Sequence, residues 1–366
     1  MSSIEKLKNI EILRFIFSLS IICVHLKGKI LRPFISEIPI YQNFIDNFKY
    51  ASIPVDFFFI IAGFFLFLTT NFSQNFTDFA IKKLKRLMPV VFYIITLYWI
   101  FSLFTPIKFI KYENVFSLLN ISVGITTRYG NNHCTWFVSA LFLGMCFYFY
   151  LYKSIDKKIF NIICACLVFL SYSLWVHTNS NNDVNIYGIF NVGLTRAFAG
   201  LGVGYFLSNL YKENITAIKK FSLNIPWKII TTAAEIFLFG FILKYTCLHK
   251  MNYDNPMILV VAFIGLFILF VCKKGYFSKL LDNNLSVFLG QFSYSIFMTH
   301  FLIKDLWAAI FCPHNHNWIV AHPYANLFCL FLVIILFGMF TYYAFEKPVA
   351  KFLKNFSFLE FIKAKN

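Results

Sequence analysis

Apolar residues run along this chain in blocks of roughly 20, each long enough to cross the ~30 Å hydrocarbon core of a bilayer as a helix. Ten blocks are read, at about 9–29, 51–70, 88–105, 134–152, 159–178, 186–208, 228–248, 256–272, 285–304 and 325–346. Gly and Pro punctuate many of their ends. The pattern predicts an all-α polytopic membrane protein, with a single transmembrane domain over 1–366 and no soluble domain, repeat or low-complexity tail. The first block is long and holds Arg14 and His25. No small-residue cleavage site follows it, which sets it apart from a signal peptide.

Charge then orients the helices. With the N-terminus placed in the cytoplasm, 21 of the 33 Lys and Arg fall in inside segments, nine in outside segments and three within spans. This bias predicts that both termini are cytoplasmic. The net charge of +17 would suggest nucleic acid in a soluble protein. Here the cations sit in short segments between spans, so topology and lipid contact account for them and no nucleic-acid partner is expected. Composition agrees, with 59% hydrophobic and 13% charged residues, against roughly 25% charged in soluble domains. The nine cysteines form no CxxC pair and read mostly as small buried hydrophobes. Cys134, Cys247 and Cys312 fall near segment ends on one side, where a disulfide is an open alternative.

Ionisable groups inside apolar spans are costly and mark function or buried pairs. Arg14 and His25 lie 11 residues apart on the first helix. Eleven steps of about 100° fall about 20° beyond three full turns, so the two share a face, roughly 16 Å apart along the axis. An inner cation and a deeper titratable base suit an anionic donor arriving from the cytoplasm. The bland alternative is an arginine snorkelling to inner headgroups and a histidine bonded to a neighbouring helix. Glu11, one turn before Arg14, is placed to pair with it.

Asp56, at the outer start of the second span, lies at about the height of His25. There it either orients the imidazole or is an ordinary first-turn acid. His300 occupies the outer half of the ninth span, in a run that includes Tyr294. Trp136 opens the fourth span, lining an acceptor site or belonging to an aromatic belt. Arg196 reads as a lone charge about mid-span, followed by small residues that permit close helix approach. Glu346 ends the last span on the inner side, a charge partner for a basic group there. The inner loop Lys82-Lys83-Leu84-Lys85-Arg86-Leu87-Met88-Pro89 is the densest basic cluster and suits either anionic lipid or the phosphates of a nucleotide-bearing donor. His314, His316 and His322 are too loosely spaced for a metal site, and none is expected. No Gly-rich phosphate loop and no GxSxG elbow occurs.

Taken together and in order, these pieces resemble the bacterial acyltransferase-3 membrane O-acyltransferases. The Arg-x10-His of the first helix is Arg14 to His25, and the Val-Asp-Leu-Phe-Phe segment is similar to Val55 through Phe64. Arg-x-x-Pro is Arg86 to Pro89, and Trp-Phe-x-Ser is Trp136 to Ser139. Arg-x-Phe-x-x-Gly is like Arg196 through Gly202, the Ser-Tyr…His segment is Ser293 to His300, and Glu-x-Pro is Glu346 to Pro348. Departures are Ala62 where Ser is usual, Phe297 where Tyr is usual, and a Lys-rich basic loop.

The resemblance implies a ten-helix, stand-alone enzyme of the bacterial inner membrane, without an SGNH domain. Acetyl-CoA is then the donor substrate, with no permanently bound cofactor. The acceptor is a hydroxyl of an O-antigen, capsule or exopolysaccharide, free or lipid-linked. In that scheme Arg86, Lys82, Lys83 and Lys85 hold the donor phosphates, and Arg14 and Arg196 guide its arm. His25 acts as base with Asp56 orienting it, and His300, Trp136 and Tyr294 border the acceptor. The competing class is a glycan or lipid-linked-sugar transporter that uses the same charges as a pathway without chemistry.

Overall fold

The computed structural model describes residues 7–48, 51–120, 130–178, 185–186, 190–248 and 256–355. The principal helices, in chain order, are α1 (Lys8–Leu26), α2 (Pro54–Thr69), α3 (Phe76–Ser102), α4 (Thr135–Ser154), α5 (Lys157–Thr178) and α6 (Val192–Lys220). They continue with α7 (Ile225–Cys247), α8 (Met257–Cys272), α9 (Asn284–Gly290), α10 (Ser293–Leu306), α11 (Pro323–Thr341) and α12 (Lys347–Asn355). Two two-residue strands, β1 (Asn185–Ile186) and β2 (Phe190–Asn191), pair antiparallel ahead of α6.

The protein is an all-α polytopic membrane protein. Seven helical stretches among the described residues are long and apolar enough to cross a bilayer. The apolar helices α2 and α8 are shorter; at about 1.5 Å per residue each spans roughly 24 Å. Helix α2 is buried along most of its length, so it takes its environment from protein rather than lipid.

Every predicted block is helical, but several boundaries move. The first helix runs on through a π turn (Lys27–Leu31) and a 3-10 turn to Phe34. The sixth begins at Val192, not 186, because the Asn191 side chain accepts the Gly193 N–H at 2.7 Å and caps it there. This moves Arg196 from mid-span to the second turn of its helix. The ninth block breaks at Gln291–Phe292 into α9 and α10. The basic stretch read as a loop is helical. It forms the early turns of α3 and continues through Pro89, which lies inside the helix. Lys, Leu and Arg are good helix formers, and their propensity carries the segment.

The chain forms two compact units, each assembled from two separate stretches of sequence. The first takes the chain up to Asn71 together with Ser154–Tyr294. Its tightest crossing is α2 against α6. A Cβ on Gly63 would stand 2.4 Å from the Leu201 carbonyl oxygen, one on Gly200 2.5 Å from Phe59 Cβ, and one on Gly204 2.4 Å from the Ile60 carbonyl oxygen. The backbones therefore meet where only glycine fits, as the small residues after Arg196 suggested. Phe17, Phe57, Phe263 and Phe267 interlock edge-on beside this crossing, with Phe17 and Phe57 centroids 4.8 Å apart.

Pairings within the first unit also fix helix direction. Residues 56, 60 and 63 of α2 meet residues 196, 200 and 201 of α6 in ascending order, so the two helices run parallel. Lys8 donates to Asn284 at 2.9 Å and Asn9 to the Phe270 carbonyl at 2.6 Å, so the starts of α1 and α9 and the end of α8 share one end. Ser20 approaches Cys247 toward the other end. These parities are the ones the charge bias predicts for spans one, two, six, seven, eight and nine.

The second unit comprises Phe72–Lys153 and the chain from Ser295 onward. Phe79 stacks on Phe149 at 4.1 Å and Tyr93 on Phe345 at 4.4 Å, tying α3 to α4 and to the turn after α11. Gly338 of α11 sits against Ile296 of α10, where a Cβ would lie 2.4 Å from Ile296 Cγ1.

Candidate active site

In the first unit, α1 carries its two predicted groups at opposite ends. Arg14 is a quarter exposed, and its guanidinium donates to the Glu11 carboxylate at 2.8 Å. The one-turn pairing expected from the sequence is therefore present, and it leaves part of the guanidinium open to an incoming anion. His25 is half-buried in the last turn of α1. The geometry that placed both on one face holds for an unbroken helix from Lys8 to Leu26.

Asp56 does not orient His25. Its carboxylate is fully buried and holds Arg196, accepting from Nη2 at 2.5 Å and from Nε at 3.2 and 3.3 Å. Arg196 in turn is not a lone charge. A second hydrogen bond runs from Nη2 to the Ser52 carbonyl at 3.3 Å, and the guanidinium lies 4.7 Å from the Trp175 ring. The forked pair needs two planar groups in register, and the parallel α2–α6 crossing supplies it. At 2% exposed, the Arg196 side chain is engaged inside the protein and is not presented to a donor's phosphates.

In the second unit, the basic group at the start of α3 divides by face. Lys82 and Arg86, one helical turn apart, are exposed, whereas Lys83 and Lys85 are half-buried. The Lys83 ammonium lies 5.2 Å from the Phe79 ring centre. Two exposed cations at i,i+4 repel each other unless an anion lies between them. Trp136 is buried at 6% exposure, edge-on to Phe137, so it is no aromatic-belt residue. Glu346 accepts a hydrogen bond from the Ser295 hydroxyl rather than facing only a basic group. Tyr294 is half-buried in the first turn of α10. Cys134, Cys247 and Cys312 are all free thiols, so the disulfide alternative fails. His314 and His322 turn Nδ1 to carbonyls of their own turns, Ile310 and Trp318.

His300 is fully buried on α10 within a polar cluster that the sequence reading did not assemble. Its Nδ1 lies 2.6 Å from the Phe297 carbonyl. A carbonyl only accepts, so Nδ1 carries the proton and Nε2 is the unprotonated nitrogen. Cys134 Sγ lies 4.0 Å from that Nε2. Asn132 holds the two together. Its amide donates to the Met298 carbonyl at 2.8 Å, and its oxygen accepts the Cys134 N–H at 3.0 Å. His133 stacks on Phe301 at 5.1 Å.

One turn beyond His300, Lys304 is buried, 3.4 Å from Asp305 and 3.9 Å from the Phe301 ring centre. Tyr98 of α3 donates to Asp305 at 3.3 Å. Lys304 is the last residue of the ninth predicted block, 285–304. Helix α10 carries on through a π turn to Phe311, which draws Lys304 inside and pairs it. The missed signal was a Lys-Asp dipeptide inside an apolar helical run, with Lys304 at i+4 from His300.

Also outside the sequence reading is Glu235, fully buried on α7, which accepts the Ser278 N–H at 3.0 Å and packs on Gly275. It tethers the short helix Tyr276–Leu280 to α7.

A family model described as an acyltransferase domain, acyltransferase-3, matches residues 7–345. No curated protein and no solved structure matches the chain.

Proposed function

The chain belongs to the acyltransferase-3 family and is a membrane acyltransferase, and on that footing we propose that it moves an acetyl group from cytoplasmic acetyl-CoA to a hydroxyl of a cell-surface glycan. The observation that carries this reading is helix α1, with a part-exposed guanidinium in its second turn and a half-buried imidazole in its last, on one face. That arrangement suits a donor whose phosphates remain near the cytoplasm while its thioester reaches deeper. The protein sits in the inner membrane of a bacterium, with α1 running outward.

In this mechanism the exposed Lys82 and Arg86, backed by Lys83 and Lys85, hold the donor phosphates through charge-assisted hydrogen bonds. Arg14 attracts the anionic donor, and Glu11 keeps its fork aimed. His25 is the general base that removes the acceptor hydroxyl proton as the oxygen attacks the thioester carbonyl. The C–O bond forms, the C–S bond of the donor breaks, and the CoA thiolate leaves and is protonated. His300, Trp136 and Tyr294 belong to the acceptor side. Asp56 and Arg196 serve the reaction by holding α2 on α6.

The test uses membranes containing the full-length protein, given acetyl-CoA labelled in the acetyl group and surface glycan from the producing cell. Label is expected in the glycan as an alkali-labile ester. A protein that moves glycan across the membrane but never transfers label would be a transporter, and the proposal would fail.

A further inference from the structure

The short helix Lys111–Leu118 follows α3 in the second unit, on the side that the charge bias makes the outer one. It is turned inside out relative to a helix of a soluble protein. Tyr112, Val115 and its C-cap Leu119 recur at i, i+3 and i+7 and share one face. They are 80%, 50% and 61% exposed. The opposite face carries Asn114 and Ser117, and both are buried.

Hydrogen bonds hold this rotation. The Asn114 amide donates to Asn131 Oδ1 at 2.8 Å, and the Asn131 N–H donates back to Asn114 Oδ1 at 3.0 Å. The same Asn131 oxygen accepts the Ile110 N–H at 2.9 Å, and the Asn131 amide donates to the Lys108 carbonyl at 2.8 Å. The Ser117 and Thr135 hydroxyls share a hydrogen bond at 2.9 Å, which ties the helix to the start of α4. Turning the apolar face inward would break these bonds and strand buried amides.

What covers the apolar face follows from its height. Arg86 and Ser102 of α3 are 16 positions apart, roughly 24 Å at about 1.5 Å per residue. With the basic turns at the inner headgroups, α3 therefore ends near the outer edge of a ~30 Å core. Exposed apolar side chains continue along the chain from Trp99 through Leu103 and Phe104 to Ile110 and Tyr112, with Phe104 82% exposed. The lipid-facing surface of α3 thus runs on into the short helix. At about 100° per residue, Lys111 and Glu113 fall on either side of the Tyr112–Val115–Leu119 stripe. An apolar stripe edged by charges is the pattern of a helix lying in a membrane interface, and tyrosine favours that level.

We propose that Lys111–Leu118 lies in the outer leaflet, with Tyr112, Val115 and Leu119 among phospholipid chains and Lys111 at the headgroups. The partner is the phospholipid surface itself. Through Ser117 and Thr135 the helix holds the start of α4, and with it Trp136, at the level of the outer interface.

The test uses the full-length protein in right-side-out membrane vesicles, with cysteine substitutions read by a membrane-impermeant maleimide over the background of the unsubstituted chain. Lys111→Cys is expected to react readily. Val115→Cys and Leu119→Cys are expected to react about tenfold more slowly or less, since a thiol in apolar surroundings forms little of the thiolate that attacks the reagent. Equal rates at the three positions would put the apolar face in water and overturn the proposal. So would a Lys111→Cys variant that stays unreactive from outside. A protein covering the face would also slow labelling, so a second arm identifies the cover. Purified protein with p-benzoylphenylalanine in place of Tyr112 is reconstituted in vesicles of phosphatidylethanolamine and phosphatidylglycerol and irradiated. The expected adduct is one phospholipid. A crosslinked second copy, or no lipid adduct, overturns the assignment to lipid.

Discussion

At the scale of single residues, the clearest energetic statement concerns Asp56 and Arg196. A buried ion pair is poor evidence of net stability, yet removing one partner strands the other charge in a dry interior at a cost of about 3–5 kcal/mol. Asp56→Ala and Arg196→Ala are each expected to destabilise the protein by that amount, read as a lowered unfolding temperature in detergent. The double change to Asp56→Leu with Arg196→Leu is expected to recover most of the loss. A double variant no more stable than the singles would contradict the pairing. Both residues stood out in the sequence as charges in apolar surroundings. Their partnership did not, because it joins positions 140 apart and depends on how α2 and α6 cross. Local spacing found the Glu11–Arg14 bond for the opposite reason, since one helical turn fixes it. Cys134 was read only as a disulfide candidate near a segment end, because its approach to His300 joins positions 166 apart and no local spacing shows it.

At the scale of elements, α3 shows how helix geometry converts a basic run into a directed surface. Lys82 and Arg86 face outward together, while Lys83 and Lys85 turn half inward. A charge-assisted hydrogen bond is worth about 1.5–3 kcal/mol, and each ~1.4 kcal/mol is a factor of ten in binding. The pair Lys82→Gln with Arg86→Gln is therefore expected to raise KM for acetyl-CoA roughly tenfold or more, with kcat little changed, measured by acetyl transfer in membranes. An unchanged KM would assign these cations to lipid and topology alone. The run was legible as a charge cluster but not as a helix, because Pro89 and the polar composition read as a loop. Helix caps explain the other shifted boundaries. Asn191 starts α6 later than hydropathy alone would, and hydropathy does not register a side chain accepting a backbone N–H. The glycines at 63, 200 and 204 were visible as small residues, and the crossing shows why they are small.

At the scale of the whole molecule, hydropathy and the Lys/Arg bias carried the architecture, because bilayer thickness and leaflet charge act on every span alike. The polytopic all-α class and the helical character of every predicted block are found in the structure, and pairings within the first unit agree with the predicted parity. Long-range assembly into two units of interleaved sequence was not legible, since hydropathy reports depth and not neighbours. The function rests on the family match over 7–345 and on the two groups of α1. The most direct measurement is acetyl transfer from labelled acetyl-CoA to glycan by His25→Ala, compared with wild type at equal amounts of membrane-inserted protein. Loss of a general base removes about 10²–10⁴-fold, so transfer is expected to fall by that factor while insertion is unchanged. Transfer at or near the wild-type rate would contradict the assignment of His25.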